Sequence, residues 1–117
     1  MTDFRNRKVL ITGAASGIGH LLALRIAARG GRLILWDVDA AHLAAVAAEI
    51  VAAGGQAAVV ACNLAERESI EAAAARTLQE QGAVDILINN AGIVDGKRML
   101  EATDEEVYAA ARLAQID

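Results

Sequence analysis

Apolar residues gather in four short runs, at residues 9–11, 33–36, 57–62 and 84–88, rich in Val, Ile and Leu and mostly continuous rather than alternating with polar positions. Runs of that kind are strands covered on both faces. Between them lie longer stretches with helical spacing: Ile18, Leu21, Leu22 and Ile26, then Leu43, Val46, Ile50 and Val51, then Ile70, Ala74 and Leu78. Glycines punctuate the pattern, since Gly30-Gly31, Gly54-Gly55 and Gly82 stand where the three helices should end in left-handed caps. Asp39 is placed to cap the second helix. Regular alternation of strand and helix predicts an α/β fold, a parallel sheet with right-handed crossovers and helices on both faces.

The first strand runs directly into Thr12-Gly13-Ala14-Ala15-Ser16-Gly17-Ile18-Gly19 and then into a helical pattern. A helix N-terminus offers unpaired backbone N–H groups and a partial positive charge, and glycines let a diphosphate approach without meeting a Cβ. The turn therefore reads as a dinucleotide phosphate site, although glycine clusters also end strands that bind nothing. Asp37 closes the second strand about 20 residues further on, where a carboxylate can accept hydrogen bonds from the diol of an adenosine ribose. A 2′-phosphate would be repelled there, and the neighbours Trp36, Val38 and Asp39 supply no cation, so the expected coenzyme is NAD rather than NADP. An aspartate in this position also simply begins turns.

Two further segments fall on the same carboxyl edge of the sheet, Cys62-Asn63-Leu64 and Asn89-Asn90-Ala91-Gly92. Asn63 offers an amide that could read adenine, and Gly92 leaves room for a ribose. Consecutive asparagines after an apolar strand are costly unless satisfied, so Asn89 and Asn90 should hydrogen-bond neighbouring backbone or the coenzyme. Asn-Asn-Ala-Gly can equally be a plain turn. Asp95-Gly96 reads as a turn, and Thr103 with Glu106 forms a capping box that starts a fourth helix, whose three acids suit a helix N-terminus without any catalytic role. His20 and His42 sit on predicted helices away from any second ligand and are expected to be solvated. A P-loop reading fails, because His20 and not a lysine follows Gly19.

Composition narrows the partners. The 117 residues fit one compact domain that is 56% hydrophobic but only 3% aromatic, so alanine-rich helices should lie close against the sheet. A net charge of −4 provides no basic field for nucleic acid or an anionic membrane. Cys62 is the only cysteine, which excludes an internal disulfide, suits a reducing compartment and reads as a small buried thiol. No targeting segment and no uncharged run of the ~20 residues that span a bilayer is seen, so a cytoplasmic location is expected.

Taken together, the glycine turn at residues 12–19, Asp37 and Asn89-Asn90-Ala91-Gly92 stand in the order and spacing of the short-chain dehydrogenase/reductase family, which the chain resembles through about Tyr108. The resemblance implies a Rossmann fold and hydride transfer between a nicotinamide coenzyme and an alcohol or carbonyl substrate. By position it implies that Gly13, Ser16, Gly17, Ile18 and Gly19 hold the diphosphate, Asp37 the adenine ribose, Asn63 and Leu64 the adenine, and Asn90, Ala91 and Gly92 the other ribose region. The family usually has aspartate where Asn63 stands. Its catalytic serine, tyrosine and lysine cannot be placed: Tyr108 lies in the fourth helix, with Arg112 and not lysine four residues later. The family's relay asparagine is also unmatched, since residue 114 is Ala and Asp117 aligns only with an insertion.

No catalytic or metal-ligating residue is therefore assigned. The chain supplies one βαβαβ half plus a fourth strand, which leaves an unpaired sheet edge and uncovered apolar helix faces. A homo-oligomer or a fragment of a longer protein is expected. The competing reading is a non-catalytic nucleotide-binding or self-associating module. Gly96, Lys97 and Met99 follow the fourth strand and could border a substrate cavity, but the substrate itself is not legible.

Overall fold

The computed structural model describes residues 3–15 and 17–90. Seven elements follow one another: β1 (Lys8–Thr12), α1 (Gly17–Ala28), β2 (Arg32–Asp37), α2 (Ala40–Ala52), β3 (Gln56–Ala61), α3 (Arg67–Gln81) and β4 (Ile86–Asn89). The strands form a four-stranded sheet in the order β3-β2-β1-β4, and every pairing is parallel. This is a Rossmann-like α/β fold. The expected turn at Asp95-Gly96, the helix from Thr103, Tyr108 with Arg112, and Asp117 lie outside the described residues.

Side-chain alternation along the strands divides the core in two. Val9, Ile11, Leu33 and Leu35 join Ala23 and Ile26 of α1 and Leu43, Val46 and Ile50 of α2 in one buried cluster. Leu10, Ile34, Trp36 and Val60 join Ile70 and Ala73 of α3 in the other. Helices thus cover both faces, as continuous apolar strands require.

The helix boundaries follow local chemistry. Asp39 caps α2 by accepting the His42 N–H at 3.1 Å, and that bond holds its carboxyl below the usual carboxylate range, helped by the His42 side chain. Gly30, Gly54 and Gly82, just beyond the three helices, all have positive φ.

The buried faces of α1 and α3 are not those that the large apolar residues mark. In α1 the buried residues are Gly19, Ala23 and Ile26, while Ile18 and Leu21 are 65% and 50% exposed. Small residues let this helix come close to the sheet, and closeness fixes its rotation. In α2, Val51 is likewise exposed while Leu43, Val46 and Ile50 are buried. In α3 the buried set is Ile70, Ala73 and Thr77. Thr77 is buried because Trp36 needs it: the indole Nε1–H donates to Thr77 Oγ1 at 3.1 Å, with the two residues 2% and 1% exposed.

This hydrogen bond joins β2 to α3 within an otherwise apolar layer. Replacing Thr77 by Val leaves a buried indole N–H without an acceptor, which costs about 1–3 kcal/mol. Chemical denaturation followed by Trp36 fluorescence should show that loss, and Thr77→Ser should retain most of the wild-type stability.

Candidate functional site

Strand order reverses between β1 and β4: the chain moves outward from β1 through β2 to β3, then crosses by α3 to the other side of β1. Open parallel sheets bind ligands outside the carboxyl ends of their strands at such a switch point. Thr12 and Asn89 are partners in the β1–β4 register at this point, and Thr12 Oγ1 donates to Asn89 Oδ1 at 2.9 Å. The following residue, Asn90, is buried and donates from Nδ2 to the Gly13 carbonyl at 3.2 Å. Both asparagines are therefore satisfied within the fold, Asn89 by a side chain and Asn90 by backbone.

Gly13 and Gly19 approach each other across the β1–α1 turn. A Cβ on Gly19 would stand 2.1 Å from the Gly13 oxygen and 2.8 Å from Asn90 Nδ2. Helix α1 can begin this close to the end of β1 only if residue 19 has no side chain. Gly17 has φ +60°, and a Cβ there would meet nothing within 4 Å. The first residue of α1 thus has open space where a side chain would stand, at the helix end that lies by the carboxyl edge of the sheet. Ile18, the next residue, is exposed and takes no part in the core. Ser16 lies outside the described residues, as do Ala91 and Gly92.

The turn between β1 and α1 is fastened to the end of β2. Ala14 N–H donates to the Trp36 carbonyl at 3.2 Å, and Ala15 N–H donates to Asp37 Oδ2 at 3.0 Å. Asp37 Oδ1 accepts the Asp39 N–H at 3.1 Å, and the Asp37 carbonyl accepts the Cys62 N–H at 2.9 Å. One residue thereby joins the ends of β1, β2 and β3. Sequence spacing marks Asp37 as a ligand contact and misses this second set of bonds, for which the only signal is the short polar side chain at a strand end.

Asn63 belongs to a local turn. Its Oδ1 accepts the Ala65 N–H at 2.9 Å, its Nδ2 donates to Glu66 Oε1 at 3.0 Å, and its own N–H donates to Ser69 Oγ at 2.8 Å. Leu64 packs, partly buried, against the Trp36 side of the core. Cys62 is buried just past β3, and desolvation pushes its thiol up, as befits an inert packing residue. His20 is not free in solvent: its Nε2 lies 2.9 Å from Glu49 Oε1 of α2, so it links the two helices. Among the described residues no group of three or more His, Cys, Asp or Glu is placed to hold a metal ion, and no helix is long and apolar enough to cross a membrane.

The two glycines of α1 should respond differently to substitution. Gly19→Ala forces two backbones apart and is expected to cost about 3 kcal/mol or more. Gly17→Ala meets no obstacle and carries only the left-handed backbone penalty of about 1 kcal/mol. Thermal and urea denaturation of the two variants should rank them in that order.

Comparisons with known proteins agree with the fold. The family model of the short chain dehydrogenases matches residues 7–114. A probable oxidoreductase, EphD, of Mycobacterium tuberculosis (strain H37Rv) is 40% identical over 103 residues, covering 88% of this chain and 17% of that protein. Human epidermal retinol dehydrogenase 2 is 42% identical over 98 residues, covering 83% of this chain and 32% of that protein. Among solved structures, a metagenomic short-chain oxidoreductase in complex with NADP superposes with a TM-score of 0.80 at 30% identity, covering 98% of this chain and 57% of that one. The chain spans a third or less of the length of these curated relatives. With the family model matched over most of its length, the chain belongs to the short chain dehydrogenase family.

Proposed function

We propose that residues 1–117 form a single dinucleotide-binding unit, the coenzyme-binding part of an NAD(P)-dependent oxidoreductase that interconverts an alcohol and a carbonyl compound. The observation that carries this reading is the meeting of a glycine turn and the Asp37 carboxylate at the carboxyl edge of the sheet, beside open space above Gly17. Backbone donors of Gly13, Ser16, Gly17, Ile18 and Gly19 would hold the diphosphate, and Asp37 the adenine ribose. Asn63 and Leu64 would border the adenine, and Asn90, Ala91 and Gly92 the second ribose. A bound nicotinamide coenzyme supplies the hydride acceptor or donor.

This chain's own contribution is to bind and orient. The Ser/Tyr/Lys set that the family uses for proton transfer is not found by position in the sequence, so binding without turnover is expected of these 117 residues alone. A cytoplasmic location fits the single cysteine and the acidic balance.

NAD is the favoured coenzyme. Asp37 and Asp39 both stand at the end of β2, and two unit charges about 4 Å apart near a protein surface repel by roughly 1–4 kcal/mol. Calorimetric titration should therefore show NADH binding at least about tenfold tighter than NADPH. Equal affinities, or tighter NADPH, would overturn the preference.

A second reading, that of a self-associating module, is favoured by Ile18 and Leu21, which share an exposed face of α1, and by β4, which among the described residues pairs only with β1. Sedimentation of the purified chain is expected to show a dimer or larger assembly in either case. Tight self-association with no NADH binding would replace the coenzyme reading with the module reading, whereas a stable monomer would remove both the module and the expected homo-oligomer.

A further inference from the structure

We propose that Asp37 is a positioning residue for the diphosphate turn, holding the Ala15 N–H so that the turn has its ligand-ready shape before any ligand arrives. The proposal rests on the coenzyme reading above and adds to it a role that Asp37 performs through the backbone rather than on the ribose.

The geometry points to it in three ways. Ala15 is only 5% exposed, and its N–H donates to Asp37 Oδ2 at 3.0 Å, so water is a poor substitute for the carboxylate. The Ala14 N–H donates to the Trp36 carbonyl at 3.2 Å, which makes the Asp37 bond the second rung of a ladder that runs from β2 onto the turn. The Asp39 N–H fixes the other oxygen at 3.1 Å, so the carboxylate is held from both sides and cannot swing away freely. An ionised carboxylate has about four acceptor sites on its two oxygens, so two backbone N–H donors still leave acceptor capacity for a ribose diol. Shaping the turn and gripping the sugar are compatible.

A consequence follows for coenzyme selectivity. Only a side chain of the same reach that ends in an acceptor oxygen keeps the tether, which restricts position 37 to Asp or Asn. Replacements that remove the acceptor oxygen together with the charge, such as Asp37→Ala, would loosen the diphosphate turn while ceasing to repel a 2′-phosphate.

The test pairs a nucleotide that carries the ribose diol with one that lacks it and so cannot report on the ribose contact. ADP and 2′,3′-dideoxy-ADP are titrated by calorimetry into the 117-residue chain and into its Asp37→Asn and Asp37→Ala variants. The two variants have the same charge and differ in whether an oxygen remains for the Ala15 N–H. Asp37→Asn is expected to bind dideoxy-ADP at least as well as the wild type, and Asp37→Ala about fivefold more weakly than Asp37→Asn, the worth of one hydrogen bond. Amide exchange at Ala15 should be fast in Asp37→Ala and slow in Asp37→Asn.

In the wild type, a scalar coupling across the hydrogen bond between the Ala15 amide nitrogen and the Asp37 carboxyl carbon should be detectable, a reading that needs no variant to fold. Dideoxy-ADP affinities of the two variants within about twofold of each other, or absence of that coupling together with fast Ala15 exchange in the wild type, would overturn the proposal. Failure of the wild type to bind either nucleotide would instead bring down the coenzyme reading and the ligand part of this proposal with it. The coupling and exchange measurements would still decide whether the tether exists.

Discussion

Helix α1 starts where it does because Gly19 has no side chain. The Gly13 carbonyl occupies the space that a Cβ would need, and Asn90 reaches the same oxygen from the far side of β1. This three-way contact sets how deeply the helix sits at the end of the strand. It also sets which residues of α1 are buried, since Gly19, Ala23 and Ile26 can face the sheet at close range and Ile18 and Leu21 then cannot. Two residues before Gly19 the situation is reversed, since a Cβ on Gly17 would meet nothing within 4 Å.

The opposite face of the sheet is held by different means. Trp36 brings a large apolar surface and one polar atom, and the fold meets that atom with Thr77 from α3. The residue after Trp36 is Asp37, so the indole that fixes β2 against α3 also fixes the strand end from which the carboxylate reaches the turn. Residues of one strand thus serve two layers, with Trp36 anchoring to the α3 side and Asp37 anchoring the β1–α1 loop.

Much of this was legible from the order of residues. Continuous apolar runs identify buried parallel strands, glycines mark helix ends, and Asp39 caps α2 as its position suggests. The strand ends differ by a residue or two: β3 stops at Ala61, with Cys62 buried just beyond it, and β4 begins at Ile86, with Val84 buried ahead of it. What hydrophobic spacing cannot show is a contact made by the absence of a side chain, as at Gly19, or a polar residue buried to satisfy one specific partner, as at Thr77. The need to satisfy Asn89 and Asn90 could be foreseen from their place after a strand. Their partners, Thr12 and Gly13, are long-range neighbours that only the β1–β4 pairing brings together.

Coenzyme choice illustrates where specificity resides in such a fold. A short-chain oxidoreductase whose backbone superposes on this chain with a TM-score of 0.80 was solved with NADP, so the fold by itself does not exclude a 2′-phosphate. In the proposed reading discrimination comes from the few side chains at the end of β2, and here that segment reads Trp36-Asp37-Val38-Asp39, with two acids and no base. Both carboxylates are already committed to backbone N–H groups, Asp37 to Ala15 and Asp39, and Asp39 to His42. Selectivity of this kind rests on groups whose removal also disturbs local structure, because the carboxylates that would repel a phosphate supply the oxygens that order the loop and start α2. The coenzyme preference proposed for this chain is therefore tied to the stability of the edge that carries it, and only a side chain that keeps the oxygen and drops the charge separates the two.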